Sequence, residues 1–269
     1  MRVGFLQLRV KFGEVKANVK KAVTLLGRVE DATIVLPELF NTGYLFKNRR
    51  ELNSLAEPVL KGYTVSEMKK IAKKRNLHLI FGMAEKKARS IYNTAVFINP
   101  KGKIESYQKI HLFDREKLFF TPGKALKMVS TPEAKVGMMI CFDWIMPEVS
   151  RSLALKGAAI LAHPANLVLP WGQEAMKLRC IENRIFGITA NRIGTERRGT
   201  LNLTFTGGSQ IISPGGEILV SAGDRSESLK VIDIDVAEAA DKHVTPANDL
   251  FADRFPGLYS QITSKAKRK

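Results

Sequence analysis

What most constrains this chain is an alternation of short apolar strands and amphipathic helices that runs along nearly its whole length. Val3 to Leu8 alternates as a strand, after which Val15, Val19, Ala22/Val23 and Leu26 recur at helical spacing. Thr33-Ile34-Val35-Leu36 is a short apolar strand that closes at Pro37-Glu38. Thr64, followed three residues later by Glu67, reads as a capping box opening a helix with an apolar stripe of Val65, Met68, Ile71 and Ala72. Leu77 to Phe81 and Tyr92 to Ile98 read as strands, the second closed by the turn signal Asn99-Pro100-Lys101-Gly102. Further strands are expected at Val136–Ile140, Ala158–Leu161, Gly187–Ala190, Gly208–Ile212 and Leu229–Ile234, with helices at about 148–156 and 173–186. Strands separated by helices within one core point to a layered α/β fold. No linker rich in Pro, Gly or Ser divides the 269 residues, so one domain spanning 1–269 is expected, with 260–269 as a basic C-terminal tail.

The net charge of +17 raises the question of nucleic acid. The basic residues are spread along the chain, in Lys16, Lys20 and Lys21, in Lys69, Lys70, Lys73 and Lys74, and in the tail. No aromatic residues interleave with them as a base-stacking surface would require, so the charge reads as solvated surface and not as a nucleic-acid site. No stretch approaches the roughly 18–20 apolar residues of a membrane span, and the N-terminal segment is too short and too charged for a signal peptide. A cytoplasmic location is the expectation. Two cysteines, Cys141 and Cys180, make no disulfide framework, which agrees with a reducing compartment.

Three apolar strands end on polar residues: one at Glu38, one at Cys141, and one near His163 and Asn166. In α/β sheets, ligand sites form at the carboxyl ends of strands. Each residue alone has an ordinary reading, Glu38 as a solvated loop carboxylate, Lys109 as surface and Cys141 as a small buried hydrophobe. Cys141 is the most informative, because Pro147 and Glu148 mark a helix start just after it. A cysteine before a helix N-terminus has a lowered thiol pKa, and nearby backbone N–H groups can receive an oxyanion. Cys180 falls in the interior of a helix and reads as core. The four histidines show no metal-ligand spacing, and neither a metal nor a cofactor is indicated.

Taken together, Val35-Leu36-Pro37-Glu38-Leu39-Phe40, Tyr107-Gln108-Lys109-Ile110-His111-Leu112-Phe113 and Met139-Ile140-Cys141-Phe142-Asp143-Trp144 resemble the nitrilase superfamily of carbon–nitrogen hydrolases. Pro164-Ala165-Asn166, the segment from Ile181 to Gly194, and Phe205-Thr206-Gly207-Gly208-Ser209 extend the resemblance in order, from about residue 2 to Tyr259. The likeness is nearest to the compact archaeal nitrilases. It implies a four-layer αββα sandwich whose protomers pair through helices into a homodimer or a larger homo-oligomer. It also implies roles, with Glu38 as general base, Cys141 as nucleophile, Lys109 and the Phe142 N–H as oxyanion donors, and Glu116 positioning substrate and base. Tyr44, Trp144 and Asn166 complete the candidate substrate-binding set.

The chemistry implied is attack of the thiol on a small amide, giving a thioester, ammonia and finally a carboxylic acid. A nitrilase acting on small nitriles through the same Glu-Lys-Cys set is the alternative, ahead of an N-carbamoyl amine hydrolase or an inactive scaffold. Family members acting on carboxylate-bearing substrates often carry an arginine where this chain has Trp144, Ile145 and Met146. Its replacement by one aromatic and two apolar residues implies an uncharged aliphatic or aromatic substrate, or a cationic one.

Overall fold

The computed structural model describes residues 1–264. The basic residues Lys265, Lys267, Arg268 and Lys269 of the expected tail lie outside the described residues. In chain order the first half contains β1 (Arg2–Arg9), α1 (Val15–Leu26), β2 (Thr33–Val35), α2 (Arg49–Leu55), α3 (Tyr63–Lys74), β3 (His78–Lys87), β4 (Ser90–Ile98), β5 (Ile104–Gln108) and α4 (Glu116–Phe119). The second half contains β6 (Lys127–Ser130), β7 (Lys135–Met138), a 3-10 turn at Cys141–Ile145, α5 (Pro147–Leu155), β8 (Ile160–Pro164), α6 (Gly172–Ile181) and β9 (Phe186–Ala190). Next come β10 (Arg192–Arg198), β11 (Leu201–Thr206), β12 (Gln210–Ile212), β13 (Ile218–Ser221) and β14 (Ser228–Asp233).

Two mixed sheets result, one ordered β11-β10-β1-β2-β3-β4-β5 with β14 also on β1, the other β13-β12-β9-β8-β7-β6. The period-2 pattern of β1 shows how they stack. Val3 and Phe5 face a core shared with Val136, Met138, Ile160 and Phe186 of the second sheet. Leu6 and Leu8 point the other way, into a core with Val19, Ala22 and Leu26 of α1 and Val65, Met68 and Ile71 of α3. On the far side of the second sheet lie Val149 and Leu153 of α5 and Met176 of α6. The order is therefore helices, sheet, sheet, helices, the αββα sandwich that the resemblance implied. Each fully buried Leu, Ile or Phe on these faces contributes roughly 1.5–3 kcal/mol against exposure.

Three local expectations differ from the structure. α3 starts at Tyr63 with Gly62 at its cap, so Thr64 lies inside the helix. The Glu57 carboxylate, from the preceding segment, accepts both the Thr64 N–H (2.8 Å) and its hydroxyl (2.7 Å). Glu67 instead pairs with Lys70. α6 stops at Ile181, five residues short of the expected end, and Arg184 at φ +45° turns the chain out of the helix into β9. The β10–β11 hairpin is not among the expected strands: β10 carries Arg192, Glu196, Arg197 and Arg198 without apolar alternation, whereas β11 alternates Leu201, Leu203 and Phe205 with Asn202, Thr204 and Thr206.

Candidate active site

The site forms where strand ends from both sheets converge. β1, β2 and β3 run parallel, while β4 is antiparallel to both β3 and β5, so β5 runs in the direction of β2. Glu38, just beyond β2, and Lys109, directly after β5, thus emerge at one end of the first sheet. β7, β8 and β9 are parallel in the second sheet, with Cys141 just past β7 and Asn166 just past β8. Two close backbone approaches hold this end together. The Lys109 N–H donates to the Asn93 carbonyl on β4 at 2.8 Å. Gly82 on β3 lies so close beneath Glu38 that an added Cβ would stand 2.4 Å from the Glu38 Cα.

Glu38 and Lys109 are fully buried, and Glu116 and Cys141 nearly so. The Lys109 ammonium donates to Glu38 Oε1 at 2.7 Å and to Glu116 at 2.8 Å. The Asn93 Nδ2 donates to Glu38 Oε1 at 2.7 Å and reaches Glu116 Oε1 at 3.3 Å. The other Glu116 oxygen accepts the Phe113 N–H at 2.9 Å. Glu38 Oε2 has no partner among the described residues. One cation between two buried carboxylates leaves the cluster short of positive charge. Burial, opposed by Lys109 and reinforced by Glu38, raises the Glu116 carboxyl to about 7. Lys109 itself is held well above its ordinary value, because the charges of Glu116 and Glu38 outweigh its desolvation.

Cys141 opens the 3-10 turn at φ +40°, a backbone conformation unusual for a residue with a Cβ. Polar groups hold that turn from both sides. The buried Asp143 carboxylate accepts the Ile140 N–H (2.9 Å), the Tyr107 hydroxyl (2.8 Å), and the N–H and ring Nδ1 of His111 (3.2 and 2.8 Å). Tyr107 and His111 flank Lys109 in sequence, so Asp143 clips the cysteine turn to the segment carrying the cation. From the second sheet, His163 Nε2 lies 2.9 Å from the Cys141 carbonyl and Nδ1 lies 3.1 Å from the Thr189 hydroxyl. Because a carbonyl only accepts, His163 is the Nε2–H tautomer, and burial lowers its pKa and keeps it neutral.

The expected lowering of the thiol pKa is reversed in the resting site. Burial, with Glu38 and Glu116 adding negative charge, pushes Cys141 well above the usual thiol value. Lys109 and a hydrogen bond from the Asn166 N–H oppose this without overcoming it. The helix that follows begins only at Pro147, so its positive end is too remote to compensate. In the resting site the Cys141 thiol is therefore held in its protonated form. Cys180 is likewise buried and its thiol pushed up, with Glu182 the one nearby charge acting on it.

The structure brings Glu38, Lys109, Glu116 and Cys141 together, with Tyr44 beside them. Burial and the charges of Glu116, Glu38 and Cys141 push the Tyr44 hydroxyl far up. A cavity of about 40 Å³ opens next to this group, lined by Tyr44, Phe113, Asp114, Arg115, Glu116 and Phe120 among others. Phe142 borders it through Phe113, their rings 5.0 Å apart. Trp144 is 5% exposed and belongs to the core between the second sheet and its helices. Both side-chain polar atoms of Asn166 are buried without partners among the described residues. Asn93, Asp143 and Tyr107 were not singled out from the sequence. The available signal for Asn93 was its position beside Thr94, two consecutive polar residues in a strand otherwise buried and apolar.

Comparison with known proteins gives the family. The family model described as carbon-nitrogen hydrolase matches residues 2–243. A nitrilase of Pyrococcus abyssi is 40% identical over 96% of this chain and 99% of its own. An (R)-stereoselective amidase of a Pseudomonas species is 30% identical over 88% of this chain and 85% of its own. Among solved structures, a carbon–nitrogen hydrolase from Helicobacter pylori G27 superimposes with a TM-score of 0.89 at 26% identity, covering 98% of each chain.

Proposed function

The chain belongs to the carbon–nitrogen hydrolase family and is a hydrolase of carbon–nitrogen bonds, and on that premise we propose that it cleaves small uncharged amides through a Cys141 thioester. The observation that carries this reading is the buried Glu38–Lys109–Glu116 cluster beside Cys141, in which Glu38 Oε2 alone is left without a donor. A primary amide brings two N–H donors into a site holding unpartnered acceptors on Glu38 and Asn166, whereas a nitrile brings none.

As Sγ bonds to the amide carbon, the thiol proton passes to Glu38 Oε2 and the carbonyl π pair moves onto oxygen. Lys109 has three N–H groups, of which two are committed to the carboxylates. The third, with the Phe142 N–H, receives the oxyanion. Collapse breaks the C–N bond, Glu38 returns its proton to nitrogen, and ammonia leaves. Water then attacks the thioester and gives its proton to Glu38. The second collapse breaks the C–S bond, frees the carboxylic acid and restores the thiol. Glu116 holds Lys109 in place throughout.

Asp114 and Arg115 both line the cavity, one charge of each sign, in keeping with an uncharged acyl group. A second reading, hydrolysis of small nitriles, is favoured by the relative of that name, 40% identical over nearly the whole chain. Ammonia release from matched amides and nitriles, with Cys141→Ala beside the wild type, tests both. Release from amides exceeding that from nitriles is expected, and it should vanish in the variant. Release surviving in Cys141→Ala would overturn the mechanism, and turnover of nitriles alone would favour the second reading.

Pairing of two copies through α5 and α6 is supported by exposed Ile145, Leu155, Leu178 and Ile181 along that face. A groove of about 670 Å³ runs beside it between α5 and the segment 254–263. Light scattering showing only monomer at micromolar concentration would remove this proposal.

A further inference from the structure

We propose that Asn93 is a further catalytic residue, which dedicates one oxygen of Glu38 to proton transfer and accepts an N–H of the departing nitrogen. The proposal rests on the amide-hydrolysis reading above.

Asn93 is the fourth residue of β4 and fully buried. Its Nδ2 faces two carboxylates, at 2.7 Å from Glu38 Oε1 and 3.3 Å from Glu116 Oε1. The opposite amide orientation would set its oxygen against two acceptor oxygens, so the electrostatics dictate which end faces the cluster. With Lys109 also donating to Glu38 Oε1, that oxygen is saturated, while Oε2 has no partner among the described residues. The two Glu38 oxygens are thereby made inequivalent. Only Oε2 is free to take the thiol proton and return it to nitrogen.

The other end of the same amide is the second observation. Asn93 Oδ1 is buried and accepts from no group among the described residues. Asn18 and Asn191 have both ends satisfied, and Asn41 and Asn183 also leave a buried Oδ1 without a partner among the described residues; Asn93 differs from all four in that its Nδ2 holds the Glu38 and Glu116 carboxylates. Asn93 is satisfied only on the side facing the carboxylates. Its unpartnered oxygen belongs to the amide that a 2.7 Å hydrogen bond holds against Glu38. When the C–N bond breaks, the proton on Oε2 moves to nitrogen, and the ammonia formed presents further N–H groups. Asn93 Oδ1 accepts one of them. An ester of the same acyl group offers no such donor.

The test compares wild type, Asn93→Ala and the milder Asn93→Ser on a short aliphatic primary amide and on its ethyl ester. kcat/KM for the amide should fall roughly a hundredfold and for the ester tenfold or less, as loss of one positioned hydrogen bond predicts. The acid limb of the amide profile should move up, since removing a donor to Glu116 disfavours its charged form. The groups facing Asn93 in that titration are Glu38, Glu116 and Lys109, with Tyr44, Cys141 and His163 around them. Equal losses for amide and ester with an unmoved profile would make Asn93 a packing residue and overturn the proposal. Thermal unfolding of both variants identifies a fold defect, and Asn93→Ser decides if Asn93→Ala unfolds. A folded wild type inactive on both substrates would fail the amide reading instead. The pH dependence of Cys141 alkylation by iodoacetamide, which needs no turnover, then decides: moved by Asn93→Ala it supports the proposal, unmoved it overturns it.

Discussion

Replacing Gly82 by alanine separates catalysis from folding more sharply than a change in the cluster itself. The added methyl would meet Glu38 Cα at 2.4 Å, Leu39 N at 2.8 Å and Glu38 C at 3.0 Å. All three are backbone atoms, which cannot rotate out of the way. An ordinary Cβ contact begins at 3.4 Å, so the Glu38 backbone must retreat by about 1 Å. Gly82 does not have positive φ, so alanine is acceptable to the β3 backbone itself and the conflict is one of contact alone. A retreat of that size lengthens the 2.7 Å bond from Lys109 to Glu38 Oε1 to roughly 3.7 Å, beyond hydrogen-bonding range. Misplacing a catalytic group by this much costs on the order of a hundredfold in rate. Overpacking one methyl costs about 1–3 kcal/mol in stability, a fall of roughly 2–10 °C in Tm for a chain of this size. Ammonia release measured well below that midpoint, with circular dichroism on the same sample, compares the two effects. kcat/KM within threefold of wild type in a folded Gly82→Ala would refute the reasoning.

Two further outcomes follow from the site's electrostatics and its polar frame. The Glu116 carboxyl sits at about 7, above the 4.5 of an ordinary glutamate, so between those values the folded state holds a proton that the unfolded chain has released. Its contribution to stability is thus greatest below 4.5 and is lost as pH rises through about 7. Denaturant midpoints measured across that window should fall more in wild type than in Glu116→Gln, and parallel curves would contradict the assignment. Each Asp143 oxygen accepts from two donors, so Asp143→Asn, which turns one oxygen into an N–H₂ group, leaves two donors without their acceptor, at about 1–3 kcal/mol each. kcat should drop at least tenfold with KM nearly constant, because Cys141 and Lys109 lose their mutual register; a rise in KM at constant kcat would argue against it.

Much of the architecture could be read from local pattern, because helical and strand periods mark which faces are buried. Glu38 and Cys141 were legible for a related reason: each follows an apolar strand, where a reactive group is conspicuous. Lys109 became legible only through the ordered resemblance around it. The remainder depends on partners distant in sequence. Thr64 and Glu67 have the spacing of a capping box, yet Glu57 already satisfies the helix start from outside that window. Arg192 is an ordinary arginine by sequence and is fully buried in the structure, paired with Glu196 and stacked 4.1 Å over Phe205. The thiol of Cys141 was read from the helix after it, whereas burial and two carboxylates from the other sheet dominate its ionisation. Asn93 lies beside Thr94 within a strand run, where adjacent polar residues do not by themselves say which of them meets a carboxylate from another strand.

Glu38 and Lys109 emerge from one sheet and Cys141 from the other, so the reacting groups meet only where the two sheets face each other. Neither half of the sandwich holds a functional remnant. A refolding chain that has formed one sheet with its helices carries either the proposed base and cation or the proposed nucleophile, never both. Regain of activity should therefore trail the regain of secondary structure and coincide with the closing of the sheet-to-sheet core. Turnover then serves as a reporter of that last docking step, more specific than any spectroscopic signal of helix or strand.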